Sequence, residues 1–187
     1  MTAREERRRF SLKPGNRRLE PMYRDIERFT EPAHHLDAVS VYATLSLREC
    51  ISNALSWQPT WLKVLFLARG GLARLMRLQH PSSGSSRPLR PEEISFHPGD
   101  RLAFFKISAG KDDAFLVLTA ADTHLVGHLI IEVDPTDAGT ERKFRIITAV
   151  QYRRWTGRLY FNIIRPFHHL VMHRMIAAAR RPAQAVR

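Results

Sequence analysis

Apolar and polar positions change period several times along the chain, and each change marks an element. Residues 38–45 (Ala-Val-Ser-Val-Tyr-Ala-Thr-Leu) place β-branched and aromatic side chains in near alternation, which predicts a strand with order beginning at Asp37. Ser46 follows, with Glu49 three residues on, a spacing in which the two side chains satisfy each other's free backbone N–H groups. A helix therefore starts at Leu47, with Leu47, Ile51, Ala54 and Leu55 on one face. Pro59 breaks it and suits the first turn of a second helix over 59–79, with Trp61, Leu62, Leu65, Phe66, Leu72, Leu75 and Met76 among its apolar positions and a weak point at Gly70-Gly71. Residues 80–90 are a loop rich in serine, proline and glycine.

Four strand-like runs come next, over 101–108, 114–120, 124–134 and 141–153, joined by short segments rich in Gly, Asp, Thr and Pro. Short links between consecutive strands mean hairpins and an antiparallel sheet. In the last run Phe144, Ile146, Thr148, Val150 and Tyr152 share one face, opposite Arg145, Ile147, Ala149, Gln151 and Arg153. From 157 to 181 the period becomes helical, and Tyr160, Ile163, Ile164, Phe167, Val171, Met175 and Ala178 form a stripe at three- and four-residue steps. Pro166 lies inside this helix and is expected to kink it.

The order β-α-α-β-β-β-β-α predicts an α+β domain in which a curved antiparallel sheet grips the long C-terminal helix, with the space between them as the natural cavity. Residues 1–35 read as a basic, poorly ordered arm with a short helical stretch near 22–29, residues 36–181 as the single domain, and 182–187 as a tail.

Composition sharpens this picture. Hydrophobic residues make up 44% of the 187, enough for a sizeable core. The lone Cys50 excludes an internal disulfide and any multi-cysteine metal site, and it suits a reducing, cytoplasmic compartment. No apolar run follows the arginines of residues 1–10, so no secretory signal is expected. The greasiest stretch, 61–68, contains Lys63 and is far shorter than a membrane span of roughly 20 residues. The net charge is +12; residues 1–31 contribute +3 of it, and the remaining +9 reads as spread along the chain. Arginine outnumbers lysine 25 to 5, which a biased genome explains as readily as a partner does. Non-specific attraction to anions follows from the excess in either case.

Candidate chemistry is sparse. His169 and His173 are four apart on the C-terminal helix, a spacing that can serve a metal, but no glutamate lies between them, and a third ligand would have to come from His34, His35 or Asp37. Surface or hydrogen-bonded histidines are the plainer reading, and no metal or cofactor is expected. His124 and His128 share one face of a strand and read as solvated. His168 follows Pro166-Phe167 and either projects into the cavity or stabilises the kink. Cys50 has no neighbour that would activate it. Neither a Gly-x-Ser-x-Gly elbow nor a phosphate-cradling loop occurs. Asp112-Asp113 and Glu92-Glu93 are adjacent pairs with turn and cap chemistry. Trp61, Tyr152, Trp155, Tyr160, Ile164, Phe167 and His168 are the positions expected to face the sheet–helix space, where they either line a ligand site or fill the core.

Several local runs resemble a known family. Asp122-Thr123-His124-Leu125, Thr148-Ala149-Val150, Gly157-Arg158-Leu159-Tyr160 and Pro166-Phe167-His168 look like the pattern of the bacterial domain-of-unknown-function family DUF2867, and Pro59-Thr60-Trp61-Leu62 leading to Leu67-Ala68-Arg69 is similar to its second helix. The resemblance covers about residues 36–180. It implies a START-like, polyketide cyclase-like helix-grip fold, whose members often hold apolar small molecules between sheet and C-terminal helix; it carries over no catalytic residue. The expected function is non-catalytic binding of a small apolar or amphipathic molecule. A basic module that contacts anionic lipid or nucleic acid is the alternative, and a cyclase- or hydrolase-like enzyme rests on analogy alone.

Overall fold

Alternating side chains bury one face of a strand at a time, and here both faces of one sheet find cover. The computed structural model describes residues 20–61, 70, 88–134 and 141–179. Strands β1 (His35–Ala43), β2 (Arg101–Leu102), β3 (Phe105–Lys111), β4 (Phe115–Ala121), β5 (Leu125–Val133) and β6 (Arg142–Tyr152) form a six-stranded antiparallel sheet in the order β1-β6-β5-β4-β3-β2. Helices α1 (Glu20–Thr30), α2 (Leu47–Ser56) and α3 (Trp155–Ala179) pack on it, with one 3-10 turn at Pro91–Glu93. The protein is α+β, a curved open sheet against a long C-terminal helix, and the arrangement and order are helix-grip-like.

One face of the sheet holds the main core. Ile107, Leu116, Leu118, Leu129, Ile131, Phe144 and Ile146 meet Leu47, Cys50, Ile51 and Ala54 of α2 and Met172, Met175, Ile176 and Ala179 of α3. The expected capping box starts α2: the Glu49 amide donates to Ser46 Oγ at 3.2 Å, and Ser46 N donates to Glu49 Oε2 at 2.8 Å. The Ser46 amide and the Ser46 hydroxyl, which also donates to Glu49 Oε2 at 2.8 Å, hold the Glu49 carboxyl below its ordinary pKa. Cys50 is a packed thiol, its pKa pushed up to about 12 by burial.

The opposite face carries a second cluster, in which Ile26 and Phe29 of α1 cover Leu36, Phe115, Val117, Ile130, Ile147 and Ala149. Polar groups are threaded through it. Glu132 and Arg145 sit opposite each other on β5 and β6 and form an ion pair with the carboxylate fully buried. Burial pushes the Glu132 carboxyl up against the pull of Arg145. Ser108 Oγ, Thr119 Oγ1 and His128 Nδ1 form a chain of contacts at 2.6 and 2.9 Å, with the His128 ring 5.0 Å from Phe29. His124 and His128, expected to be solvated, are in fact buried: His128 lies beneath α1, and His124 Nδ1 bonds Thr156 Oγ1 at 2.7 Å.

Two further expectations need correction. The strand expected over 101–108 is split in two, because Ala103 adopts φ 53 and turns the two-residue β2 back onto β3. The stripe expected on α3 holds at Tyr160, Met175 and Ala178, which are buried, and fails at Ile163 and Phe167. Tyr160, Phe161, Met172, Met175, Ile176 and Ala179 face inward, while Ile163 and Phe167 are exposed. Side chains one position apart on a helix differ by about 100° in direction, so Ile163 and Phe167 point outward beside the half-buried Ile164 and His168. Of the second helix expected over 59–79, Thr60, Trp61 and Gly70 are helical; the rest lies outside the described residues, as do 1–19, 135–140 and 180–187.

The start of α3 is fixed by a close approach. Arg153 N and Arg154 N both donate to the His124 carbonyl, at 2.8 and 3.2 Å, and Asp122 Oδ1 accepts from the His124 and Leu125 amides. A Cβ on Gly157 would stand 2.3 Å from that same carbonyl oxygen. Gly157→Ala is therefore expected to cost about 1–3 kcal/mol in urea unfolding, because the obstacle is backbone and cannot rotate away. Gly127→Ala, whose Cβ would meet nothing nearer than 3.9 Å, should change stability by less than about 1 kcal/mol.

Candidate functional site

Where β1, β6 and the first half of α3 meet, apolar packing gives way to histidine and aromatic rings. Alternation along β1 puts His35 and Asp37 on the face that α3 covers, opposite Val150 and Thr148 of β6. One turn after another on α3 then supplies Phe161, Arg165 and the pair His168-His169. The His35 ring lies 5.0 Å from Phe161 and 6.2 Å from His169. Phe161 is 6.0 Å from both Tyr152 and His168. Tyr152, the last residue of β6, also rests 5.2 Å from His34, whose Nδ1 accepts from the Tyr152 amide at 3.1 Å.

The polar connections are directional. His169 Nδ1 bonds Asp37 Oδ2 at 2.9 Å, and His169 Nε2 accepts from Arg165 Nε at 3.4 Å. The ring of His169 is thus held from two sides, by the Asp37 carboxylate and the Arg165 guanidinium. His35 differs. Its Nε2 is buried and has no hydrogen-bond partner among the described residues. Burial, then the positive charge of Arg165, holds its pKa below the ordinary imidazole value, so the ring is neutral at pH 7. Burial likewise raises the Tyr152 phenol.

Of the residues expected to face the sheet–helix space, Tyr152 and His168 join this cluster around Phe161. Ile164, half-buried, lies on the same side of α3 between Phe161 and His168. Tyr160 is buried one position before Phe161. The others are elsewhere. Trp61 packs edge-on against Trp57 at 5.6 Å, Trp155 is 77% exposed, and Phe167 is on the outer side of α3. His35, Asp37, Phe161 and His169 are members that the expected set lacked. The missing signal was the start of β1: a strand read from Asp37 leaves His35 in a loop, whereas one from His35 places both side chains on one face.

His173 is exposed and apart from the cluster, and among the described residues no three His, Cys, Asp or Glu side chains come together as metal ligands. Elsewhere, an open depression of about 480 Å³ is lined by Ser46, Arg48, Glu49, Pro91 and Glu92. Ser46 and Glu49 are already bonded in the cap there, and Arg48 pairs with Asp112 at 2.6 Å.

The depressed histidines make stability depend on pH. His35 and His128 both have folded-state pKa values below the ordinary 6.5, each mainly through burial. The unfolded chain then binds more protons as the pH falls, so their contribution is complete above about 6.5 and is lost as pH drops through the folded values. Urea midpoints should fall between pH 7.5 and 5.5, and replacing His35 with Phe and His128 with Gln should flatten that slope. Glu132, with a raised pKa, acts in the opposite sense in both proteins and cancels from the comparison.

A search among curated proteins found no match. No described helix is long and apolar enough to cross a membrane. The model of one family, described as "Protein of unknown function (DUF2867)", matches residues 29–175, from the end of α1 to the last turns of α3, and so takes in β1, β6 and every residue of the cluster. The chain belongs to the DUF2867 family.

Proposed function

We propose that the protein binds a small amphipathic molecule, without covalent chemistry, at the histidine–aromatic cluster between the β1–β6 edge and α3. The observation that carries this reading is the buried, unpartnered Nε2 of His35 beside the Phe161 ring. A polar atom left without a partner in the interior costs roughly 1–3 kcal/mol, a cost that a ligand's hydrogen-bonding group removes. Phe161, Tyr152 and Ile164 supply apolar surface for the rest of such a molecule, and Arg165 favours an anionic or acceptor group at the polar end. The resemblance to START-like helix-grip proteins, which hold apolar molecules in the corresponding place, supports the same reading, and the lone buried thiol suits a reducing cytoplasm.

An enzymatic reading draws on one observation, the Asp37–His169 pair beside His35 and Tyr152, since a histidine oriented by a carboxylate is a recurrent general base. Binding is the better account because the second nitrogen of His169 already accepts from Arg165 and offers no lone pair to a substrate. Cys50 is buried with its pKa pushed up to about 12. The Ser108–Thr119–His128 chain lies on the other face of the sheet, under Phe29.

Native mass spectrometry of the protein purified from its own source should show an adduct of small-molecule mass that is released on denaturation. His35→Phe, which keeps a ring of similar bulk but removes the nitrogen, should abolish the adduct while leaving the thermal midpoint at pH 7.5 unchanged or raised. A wild-type protein that is free of adduct, and whose midpoint no amphiphile of a broad library shifts, defeats the reading.

A further inference from the structure

The outward side of α3 presents apolar residues to water. Trp155, Leu159, Ile163, Phe167 and Leu170 are 77, 47, 45, 49 and 46% exposed. The first four are spaced four apart and Leu170 is three further on, so they form one continuous ridge along the helix, with exposed Pro166 among them. At 1.5 Å per residue it is about 22 Å long. Nothing in the cluster proposed to bind a ligand uses these side chains, so this surface raises a separate question.

Charge answers it. Residues 142–187 contain eleven Arg or Lys and no Asp or Glu, so nearly the whole net charge of +12 resides in the last quarter of the chain, which corrects the reading that the excess is spread along the chain. Exposed Arg153 and Arg154 precede the ridge, Arg158 and Arg165 flank one side, and Arg174 lies past its other end. Among the described residues none of these five pairs with a carboxylate.

We infer that this ridge docks the protein on an anionic lipid surface, with α3 lying parallel to the membrane plane. An aromatic and aliphatic stripe bordered by arginines is the pattern of a helix that rests at the lipid–water boundary, where apolar insertion and headgroup attraction act together. A second copy of this chain fits less well, since pairing the ridge with itself would bring two acid-free arginine borders into contact. Nucleic acid would answer the arginines but leave the ridge without a counterpart. The inference goes beyond the ligand reading and stands or falls separately.

The full chain is to be sedimented with vesicles of phosphatidylcholine alone and with vesicles in which about a third of the lipid is phosphatidylglycerol. Wild type should partition onto the anionic vesicles only, with a blue shift of tryptophan emission that Trp155→Phe removes. Ile163→Asp/Phe167→Asp should weaken binding by at least about ten-fold, and Arg154→Gln/Arg174→Gln should weaken it and make what remains less sensitive to salt. Leu159→Ser/Leu170→Ser, a milder change, gives a second reading should the aspartates disturb folding. The inference is overturned by a wild type that binds neither vesicle, or by binding that survives in the aspartate and serine variants, which would be bare charge attraction. It is also overturned by a wild-type dimer that these variants render monomeric, or by tighter binding to RNA than to vesicles.

Discussion

The contact between Gly157 and the His124 carbonyl decides which side of α3 meets the sheet. A helix that long has only its rotational phase and starting point to choose, and both are set within its first turn. The His124 carbonyl takes amides from Arg153 and Arg154, the ring of the same histidine holds Thr156, and the absence of a side chain at 157 lets the helix sit down on the turn. From that seat the four-residue rows follow by geometry: Phe161 and His168 inward, Ile163 and Phe167 outward. A shift of one residue would rotate the helix by about 100°, putting Ile163 and Phe167 into the sheet and stranding His168 in water.

How well the sequence reports a feature depends on whether the cause is local. The start of α2 was legible because the Ser46–Glu49 box is made by two side chains three residues apart and needs no other part of the protein. The β4, β5 and β6 strands were legible to within a residue or two, since alternation and turn residues are also local. The run Asp122-Thr123-His124-Leu125 stood out together with Gly157-Arg158-Leu159-Tyr160, and the reason is visible in space: they are the two halves of the seat of α3. What escaped was tertiary. The burial of His128 depends on α1 folding over the outer face, and the split at Ala103 depends on a left-handed residue that no glycine announces. The outward side of Ile163 and Phe167 escaped because α3 is apolar on both sides, and only the sheet selects which of its apolar positions are buried.

The candidate site was legible in the same partial way. Tyr152 and His168 could be named from strand and helix periodicity, which are short-range. His35 and Asp37 required the β1–β6 register, because only pairing with Val150 and Thr148 brings the chain's first strand beside its last helix. Edge position matters here. β1 has one neighbour, β6, and its histidines therefore lie where the sheet ends and the core of Phe144 and Ile146 no longer fills the space under α3. Polar rings are tolerated at such a margin where they find partners: Asp37 and Arg165 for His169, the Tyr152 amide for His34. For His35 Nε2 the described residues provide none.

The buried polar groups on the two faces differ in kind, and the difference bears on which face is functional. On the outer face Glu132 pairs with Arg145 across a strand pair, though its Oε2 has no hydrogen bond among the described residues, and His128 bonds Thr119, so the partners there are fixed in the sheet itself. Such pairs specify register more than they add stability, since desolvation offsets much of the attraction. On the inner face the polar groups come from two independent elements, β1 and α3, and their spacing depends on how α3 is seated instead of on strand pairing. A site assembled between elements can open by a small movement of one of them, whereas a site within a sheet cannot without breaking ladder bonds. That asymmetry, with the unanswered His35 nitrogen on the side that can move, is the physical argument for the site proposed under α3.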